Sequence, residues 1–261
     1  MGSMNYDADL GRIQRTLACS KDIALRRTAV HSALDLRSGE QVLEIGCGGG
    51  LYACDAGHRV GPTGRVCAVD ASRDQIAAAK EQCANMQWVE CAVGNALALP
   101  YEDGTFNAAF GVQVIEYLPE LDTVLRELHR VLHTGGRLLI FATNWTSVVW
   151  HSTQPDRMQR MLREWNEHAP FPDLPAILPA SLKRAGFAEL RQTPVPVLNT
   201  SYDVTSFSYW IARLMKAFLA GRGSMRGEEI ESWFAEFDEL QSRGEYFYCS
   251  TPVITQAVKL K

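Results

Sequence analysis

The chain has 261 residues, 46% of them hydrophobic, enough to bury one large core or one core with an appended cap. A net charge of -4 and a pI near 5.9 provide no basic face for a polyanion, which argues against nucleic acid as the main substrate. No run reaches the ~18 apolar residues of a membrane span, and the charged-then-apolar pattern of a secretory signal is missing, so a cytoplasmic location is expected.

The opening Met-Gly-Ser-Met is read as an addition before a native Met4. The seven cysteines are scattered singly through apolar segments with no Cys-x-x-Cys pair, the pattern of reduced core residues in a cytoplasmic protein. Zinc ligation needs clustered Cys and His, which the sequence lacks, so no metal is expected.

In chain order, residues 20–36 read as a helix capped by Ser20. Residues 42–45 (VLEI) are a short apolar strand that runs into the glycine-rich loop GCGGG. A second strand, 64–70 (GRVCAVD), ends in an acid. Ser72 and Gln75 then stand at capping-box spacing and open a helix through SRDQIAAAKEQCA. MQWVECAVG and FNAAFGVQVI are the third and fourth strands. Leu121, Val124, Leu125, Leu128, Val131 and Leu132 recur at helical spacing behind Pro119, until HTGG stops the helix and RLLIFAT forms a fifth strand. Strands alternating with helices imply a Rossmann-like α/β fold, with a mostly parallel sheet covered by helices on both faces.

After Thr143 the character changes, and five of the six tryptophans fall in this half. Met158, Met161, Leu162 and Trp165 form one helical stripe. Phe207, Trp210, Ile211, Leu214, Met215 and Phe218 form a second, and Ile230, Trp233, Phe234, Phe237 and Leu240 a third. FAELRQTPVPVL and EYFYCSTPVITQAVKL read as strands, giving seven in all. The expected organisation is an N-terminal helical arm over 1–39, a nucleotide-binding core over 40–143, and a remainder over 144–261 that completes the sheet and adds a helical cap. The cap aromatics suit a largely apolar or aromatic ligand, and they equally suit ordinary packing of cap helices.

The glycine loop offers backbone N–H groups and a helix N-terminus to a ligand. The dinucleotide fingerprint is Gly-x-Gly-x-x-Gly, whereas Gly46, Gly48 and Gly50 give Gly-x-Gly-x-Gly with Leu51 following. Asp70 ends the second strand, where a carboxylate can accept both hydroxyls of an adenosine ribose or cap the next helix. GNALALPYEDGTFNAAF, VQVIEYL and LHRVLHTGGRLLI follow in order. From about residue 40 to 143 these blocks resemble the class I S-adenosylmethionine-dependent methyltransferases, most of all the small-molecule branch with the ubiquinone/menaquinone-type enzymes.

That resemblance implies S-adenosyl-L-methionine as cofactor. Gly46, Gly48 and Gly50 would pass under its methionine part, with Glu44 orienting it. Asp70 would hold the ribose hydroxyls, Ala71 would line the adenine edge, and Asn95 and Ala96 would meet the adenine. Gln113 would lie beside the methionine portion and the transferable methyl. The family commonly has Asp where this chain has Asn95, whose amide oxygen can still accept from the adenine amino group. The reaction implied is direct displacement onto a small organic acceptor held ~3–3.5 Å from the methyl carbon, and a base is needed only if the acceptor carries a proton.

His151, in VVWHS, is the candidate base, and a structural or substrate-orienting role also fits it. Glu116 and Tyr117 follow the fourth strand; Glu116 could orient an acceptor or favour the start of a helix. Tyr6 could close over the cofactor carboxylate or be a surface residue, and His129 and His133 read as structural. A homodimer is compatible with the sequence.

Two other classes are weighed. An NAD(P)-dependent oxidoreductase would explain the loop and Asp70 but not the GNALALP block, and a suitably placed Tyr-x-x-x-Lys pair is missing. A non-catalytic nucleotide-binding module would retain the fold alone. Among methyltransferases, no Asn-Pro-Pro-Tyr-type or Pro-Cys segment for nucleic acid follows the fourth strand. Arsenite methylation would want cysteines at the cap mouth, where only Cys19 and Cys249 lie outside the core.

Overall fold

The structure is a computed structural model and describes residues 20–220, 222 and 225–261. Tyr6, Cys19 and the arm before Ser20 lie outside the described residues. The elements are α1 (Lys21–Leu34), β1 (Gln41–Ile45), α2 (Leu51–Val60), β2 (Arg65–Asp70), α3 (Arg73–Gln82), β3 (Val89–Val93), β4 (Phe106–Val112) and a 3-10 turn (Ile115–Tyr117). Then come α4 (Leu121–Val131), β5 (Leu132–Trp150), α5 (Pro155–Asn166), α6 (Leu174–Arg184), β6 (Phe187–Pro194), β7 (Val197–Asn199), α7 (Phe207–Ala220), α8 (Gly227–Ser242) and β8 (Tyr248–Lys259).

The sheet order is β3-β2-β1-β4-β5-β8-β6, with β7 also paired to β8. β1 is parallel to β2 and β4, β2 to β3 and β4 to β5, while β8 is antiparallel to β6 and β7. This is the expected Rossmann-like, mostly parallel sheet, with eight strands where seven are expected. The additional one comes from Pro194-Val195-Pro196, which splits the anticipated sixth strand into β6 and β7. Proline has no N–H to donate to a ladder. Right-handed crossovers between parallel strands set α2 and α3 on one face of the sheet and α4 on the other.

The chain divides into two compact units. The glycine-loop unit comprises Arg27–Ala142, Leu174–Pro194 and Val253–Lys261. Its central strands are apolar on both faces because helices cover both: Val42, Leu43, Ile45, Ala108, Ala109 and Phe110 are wholly buried. Ser72 caps α3 as its sequence predicts, its Oγ accepting the Gln75 N–H at 3.3 Å. Leu121, Val124, Leu125, Leu128 and Val131 form the buried stripe of α4.

Leu132, expected on that stripe, instead begins β5 and pairs with Phe106. The next pair is Ala108 with Arg137, so His133-Thr134-Gly135-Gly136 bulges out of the ladder, with Gly135 at a φ of +83°. Pro119 precedes α4 rather than sitting in its first turn. α6 was not among the predicted stripes because Pro175 and Pro179 interrupt its sequence, yet Leu174, Leu178 and Leu182 are fully buried at four-residue spacing.

The aromatic unit comprises the described residues up to Arg26 together with Thr143–Asp173 and Val195–Pro252. Trp150 stacks on Phe237 at 4.6 Å and meets Tyr248 edge-on at 4.8 Å, and Trp233 meets Phe237 edge-on at 5.0 Å. Trp165 stacks on His168, whose pKa burial pushes down to about 4. These rings are buried against one another, so they build the core of this unit. One ion pair is interred with them. Arg157, on α5, donates to Glu236, on α8. Glu236 also accepts from the Ser152 hydroxyl at 2.8 Å and from the Thr153 N–H at 2.6 Å. Burial would raise its pKa, but the bonds from Thr153, Ser152 and Arg157 outweigh that and hold the carboxylate charged.

Removing one partner from such a buried pair costs about 3–5 kcal/mol, because the other charge is stranded. Arg157→Met is therefore expected to lower the melting temperature strongly, while Arg157→Met with Glu236→Met recovers most of the loss. Equal melting temperatures for the wild type and the single variant in calorimetry would contradict this.

Candidate cofactor site

Strand order reverses between β1 and β4, and in open α/β sheets the carboxyl ends of strands flanking that reversal form the ligand crevice. β1 runs directly into Gly46, Gly48 and Gly50, all at positive φ. A Cβ on Gly46 would stand 2.2 Å from a Val114 methyl, and one on Gly50 2.9 Å from Ala79 Cα. Above Gly48 there is open space within 4 Å, so the loop presents bare backbone there.

Asp70, at the end of β2, ties this loop down. Its Oδ2 accepts the Gly48 N–H at 2.9 Å and its Oδ1 accepts the Ser72 N–H at 2.9 Å. The Cys47 N–H donates to the Val69 carbonyl at 3.1 Å, and the Gly94 N–H to the Asp70 carbonyl at 3.0 Å. The cap of α3 is Ser72, so Asp70 is not needed for it. Each carboxylate oxygen keeps a lone pair for a further donor. Ala71 is exposed beside it.

Asn95 is exposed after β3, and Ala96 half-buried. The Asn95 side-chain oxygen accepts the Leu97 N–H at 2.9 Å and its main-chain carbonyl accepts the Ala98 N–H at 3.1 Å, which shapes a tight turn. Gln113 follows β4 with a φ of +55°, a conformation costly for a residue with a side chain. Its N–H donates to the Phe141 carbonyl at 2.8 Å and its amide nitrogen to Glu116, which is wholly buried. Val114 is a residue that sequence reasoning missed. It fills the slot left by Gly46 and Gly111, where a Cβ on the latter would come within 2.8 Å of it.

Glu44 is 1% exposed in β1, and its Oε2 has no hydrogen-bond partner. Burial, with Cys91, Asp70 and Asp55 close by, pushes its carboxyl well above the usual 4.5. A hydrogen-bond donor is what such an oxygen lacks.

His151 belongs to the aromatic unit and is exposed. Its N–H donates to the Phe247 carbonyl at 2.9 Å, and the following Ser152 and Thr153 are held by Glu236. Tyr117 is half-buried at the end of the 3-10 turn. His129 meets Phe187 edge-on at 5.1 Å, and His133 bonds Asn107 at 2.8 Å, both away from the crevice residues in their contacts. Among the described residues no cluster of His, Cys, Asp and Glu is arranged to hold a metal ion.

Residues 43–140 match the family described as methyltransferase domain. A demethylmenaquinone methyltransferase from Staphylococcus aureus (strain JH9) is 32% identical over 121 residues, covering 45% of this chain and 49% of that protein.

Residues 43–140 are a class I methyltransferase domain.

Solved structures extend the likeness in fold beyond this domain. Phosphoethanolamine N-methyltransferase 2 of Haemonchus contortus, in complex with S-adenosyl-L-methionine, aligns over 99% of this chain and 58% of its own, at 17% identity and a TM-score of 0.65. The [4+2]-cyclase SpnF aligns over 90% of this chain and 81% of its own, at 24% identity and a TM-score of 0.58. The chain spans half the length or less of the curated relatives it matches.

The methyltransferase domain carries a measurable signature in Glu44. Its folded pKa lies above the unfolded value near 4.5, so the folded state binds the proton more tightly. The stability this confers is complete below pH 4.5 and falls as pH rises toward the folded pKa. Without ligand, Glu44→Gln is expected to melt higher than the wild type at pH 8, with the gap closing below about pH 4.5. A gap independent of pH in thermal unfolding would refute this.

Proposed function

We propose that this protein transfers the methyl group of S-adenosyl-L-methionine to a small, apolar or aromatic organic acceptor. The observation that carries the reading is the Asp70 carboxylate holding the Gly48 N–H at the reversal point of the sheet, inside a methyltransferase domain. The sulfonium supplies a methyl group already activated for direct displacement. The residues present fit that cofactor. Glu44 has a buried oxygen without a donor, suited to the ammonium of an amino acid. Asp70 has free lone pairs for ribose hydroxyls. The open backbone at Gly48, between the packed Gly46 and Gly50, lets the methionine portion approach.

Ala71, Asn95 and Ala96 then line the adenine, and Gln113, its amide nitrogen engaged by Glu116, flanks the methionine portion. Because the Asn95 oxygen already holds the Leu97 N–H, its adenine contact uses the second lone pair. Where the acceptor carries a proton, His151 takes it on a ring nitrogen. A quinol-like acceptor is the first to test, since a demethylmenaquinone methyltransferase is among the relatives. The nicotinamide alternative gains nothing from the comparisons.

Calorimetric titration with S-adenosylhomocysteine tests the cofactor assignment. Asp70→Ala is expected to weaken binding about tenfold or more, since a hydrogen bond to a charged group contributes ~1.5–3 kcal/mol. Unchanged affinity removes Asp70 from the site, and stabilisation by NAD(H) instead of S-adenosylhomocysteine sinks the reading. With a 1,4-naphthoquinol or phenol that accepts labelled methyl, His151→Ala is expected to lower kcat while leaving cofactor affinity unchanged. Full turnover across pH in that variant removes His151 as base.

A further inference from the structure

In the aromatic unit, five buried polar groups have no hydrogen-bond partner among the described residues. They are the Trp150 indole N–H, at the end of β5, and the hydroxyls of Ser208, Tyr246, Tyr248 and Ser250. None of these residues is more than 5% exposed. Tyr246, Tyr248 and Ser250 alternate with the less buried Phe247 and Cys249, so three hydroxyl-bearing side chains face inward from one extended segment.

Ring and strand geometry brings the other two groups to this segment. The Trp150 ring meets the Tyr248 ring edge-on at 4.8 Å, and Phe237 lies 4.6 Å from Trp150 and 6.0 Å from Tyr246. Asn199 of β7 pairs with Tyr248 across the ladder, and its side-chain oxygen accepts the Ser208 N–H at 3.0 Å. Phe207, next to Ser208, meets Tyr248 at 6.2 Å. The Ser208 hydroxyl and the Trp150 N–H approach the Tyr246 oxygen, and the Ser250 hydroxyl the Tyr248 oxygen, without completing a hydrogen bond. Burial outweighs them and pushes both phenols up.

Aromatic contacts alone make a core, but buried polar groups are normally bonded, and leaving one open is costly. Five open in one neighbourhood mark a place where a ligand supplies the missing atoms. The carboxylates of this core are already engaged. Asp22 accepts from the Asn199 side chain at 2.9 Å and from the Phe207 N–H at 2.7 Å, and Glu236 is paired with Arg157. The open groups are therefore all uncharged. An indole can only donate, so the ligand must carry an acceptor oxygen.

We propose that Trp150, Ser208, Tyr246, Tyr248 and Ser250 form a binding site for an uncharged aromatic molecule bearing a hydroxyl or carbonyl oxygen. The neighbouring rings of Phe207 and Phe237 suit a flat apolar body, and the five polar groups hold its oxygen. Only in naming this molecule as the methyl acceptor does the proposal rest on the function proposed above.

Calorimetric titration of the full chain with 1-naphthol, and with naphthalene, which lacks the oxygen, tests the site. 1-Naphthol is expected to bind at least about tenfold more tightly. Tyr246→Phe and Tyr248→Phe are each expected to weaken 1-naphthol binding about threefold to tenfold and to leave naphthalene binding unchanged. Both variants are expected to melt at or above the wild-type temperature, because each loses a hydroxyl that the protein does not bond. A lower melting temperature in either variant means that its hydroxyl is bonded within the protein, and overturns the proposal. So does a lack of 1-naphthol binding, equal affinity for naphthalene, or 1-naphthol affinity unaltered in both variants. S-adenosylhomocysteine titrated in parallel separates the two readings. If 1-naphthol binds in the expected pattern but S-adenosylhomocysteine does not, methyl transfer falls and the site stands; the converse removes the site alone.

Discussion

The Asp70 carboxylate is the constraint on which the crevice depends. One oxygen holds a glycine N–H of the loop after β1, and the other holds the backbone that enters α3. The Asp70 carbonyl meanwhile holds Gly94 after β3. One residue therefore sets the relative positions of three segments that follow three neighbouring strands. A ligand that hydrogen-bonds to this carboxylate meets a group already oriented by two N–H donors, so little ordering is left to occur on binding.

Around that hub, local energetics are poor in ways that make sense for a binding edge. Glu44 buries an oxygen without a donor, Gln113 adopts a left-handed conformation despite its side chain, and the Gly48 backbone is bare. Each is unfavourable in isolation and is held in place by the closely packed sheet beneath it.

The aromatic unit is built on different terms. Its tryptophans, phenylalanines and tyrosines are consumed largely in contact with one another, and the Glu236 carboxylate of its buried ion pair is held by hydroxyl and backbone donors as well as by Arg157. That pair also fixes Ser152 and Thr153, immediately after His151, so the segment carrying the candidate base is held at both ends of its short span. Its aromatic content therefore says more about how the unit holds together than about what it binds.

Much of this was open to reading in one dimension. The five parallel strands, the Ser72 cap, the α4 stripe and the loop of alternating glycines are each written within a few neighbouring residues, because periodicity and capping are short-range physics. Partnership across the fold was not. The split at Pro194-Val195-Pro196, the proline-bearing helix α6, the Val114 wedge and the Arg157–Glu236 pair all join distant positions or depend on what packs opposite. By itself the sequence determined which element each residue enters and that a glycine loop precedes an acid at a strand end. Only the tertiary structure decided which polar groups lose water without regaining a partner, because desolvation depends on the atoms that close over a group and those come from elsewhere in the chain.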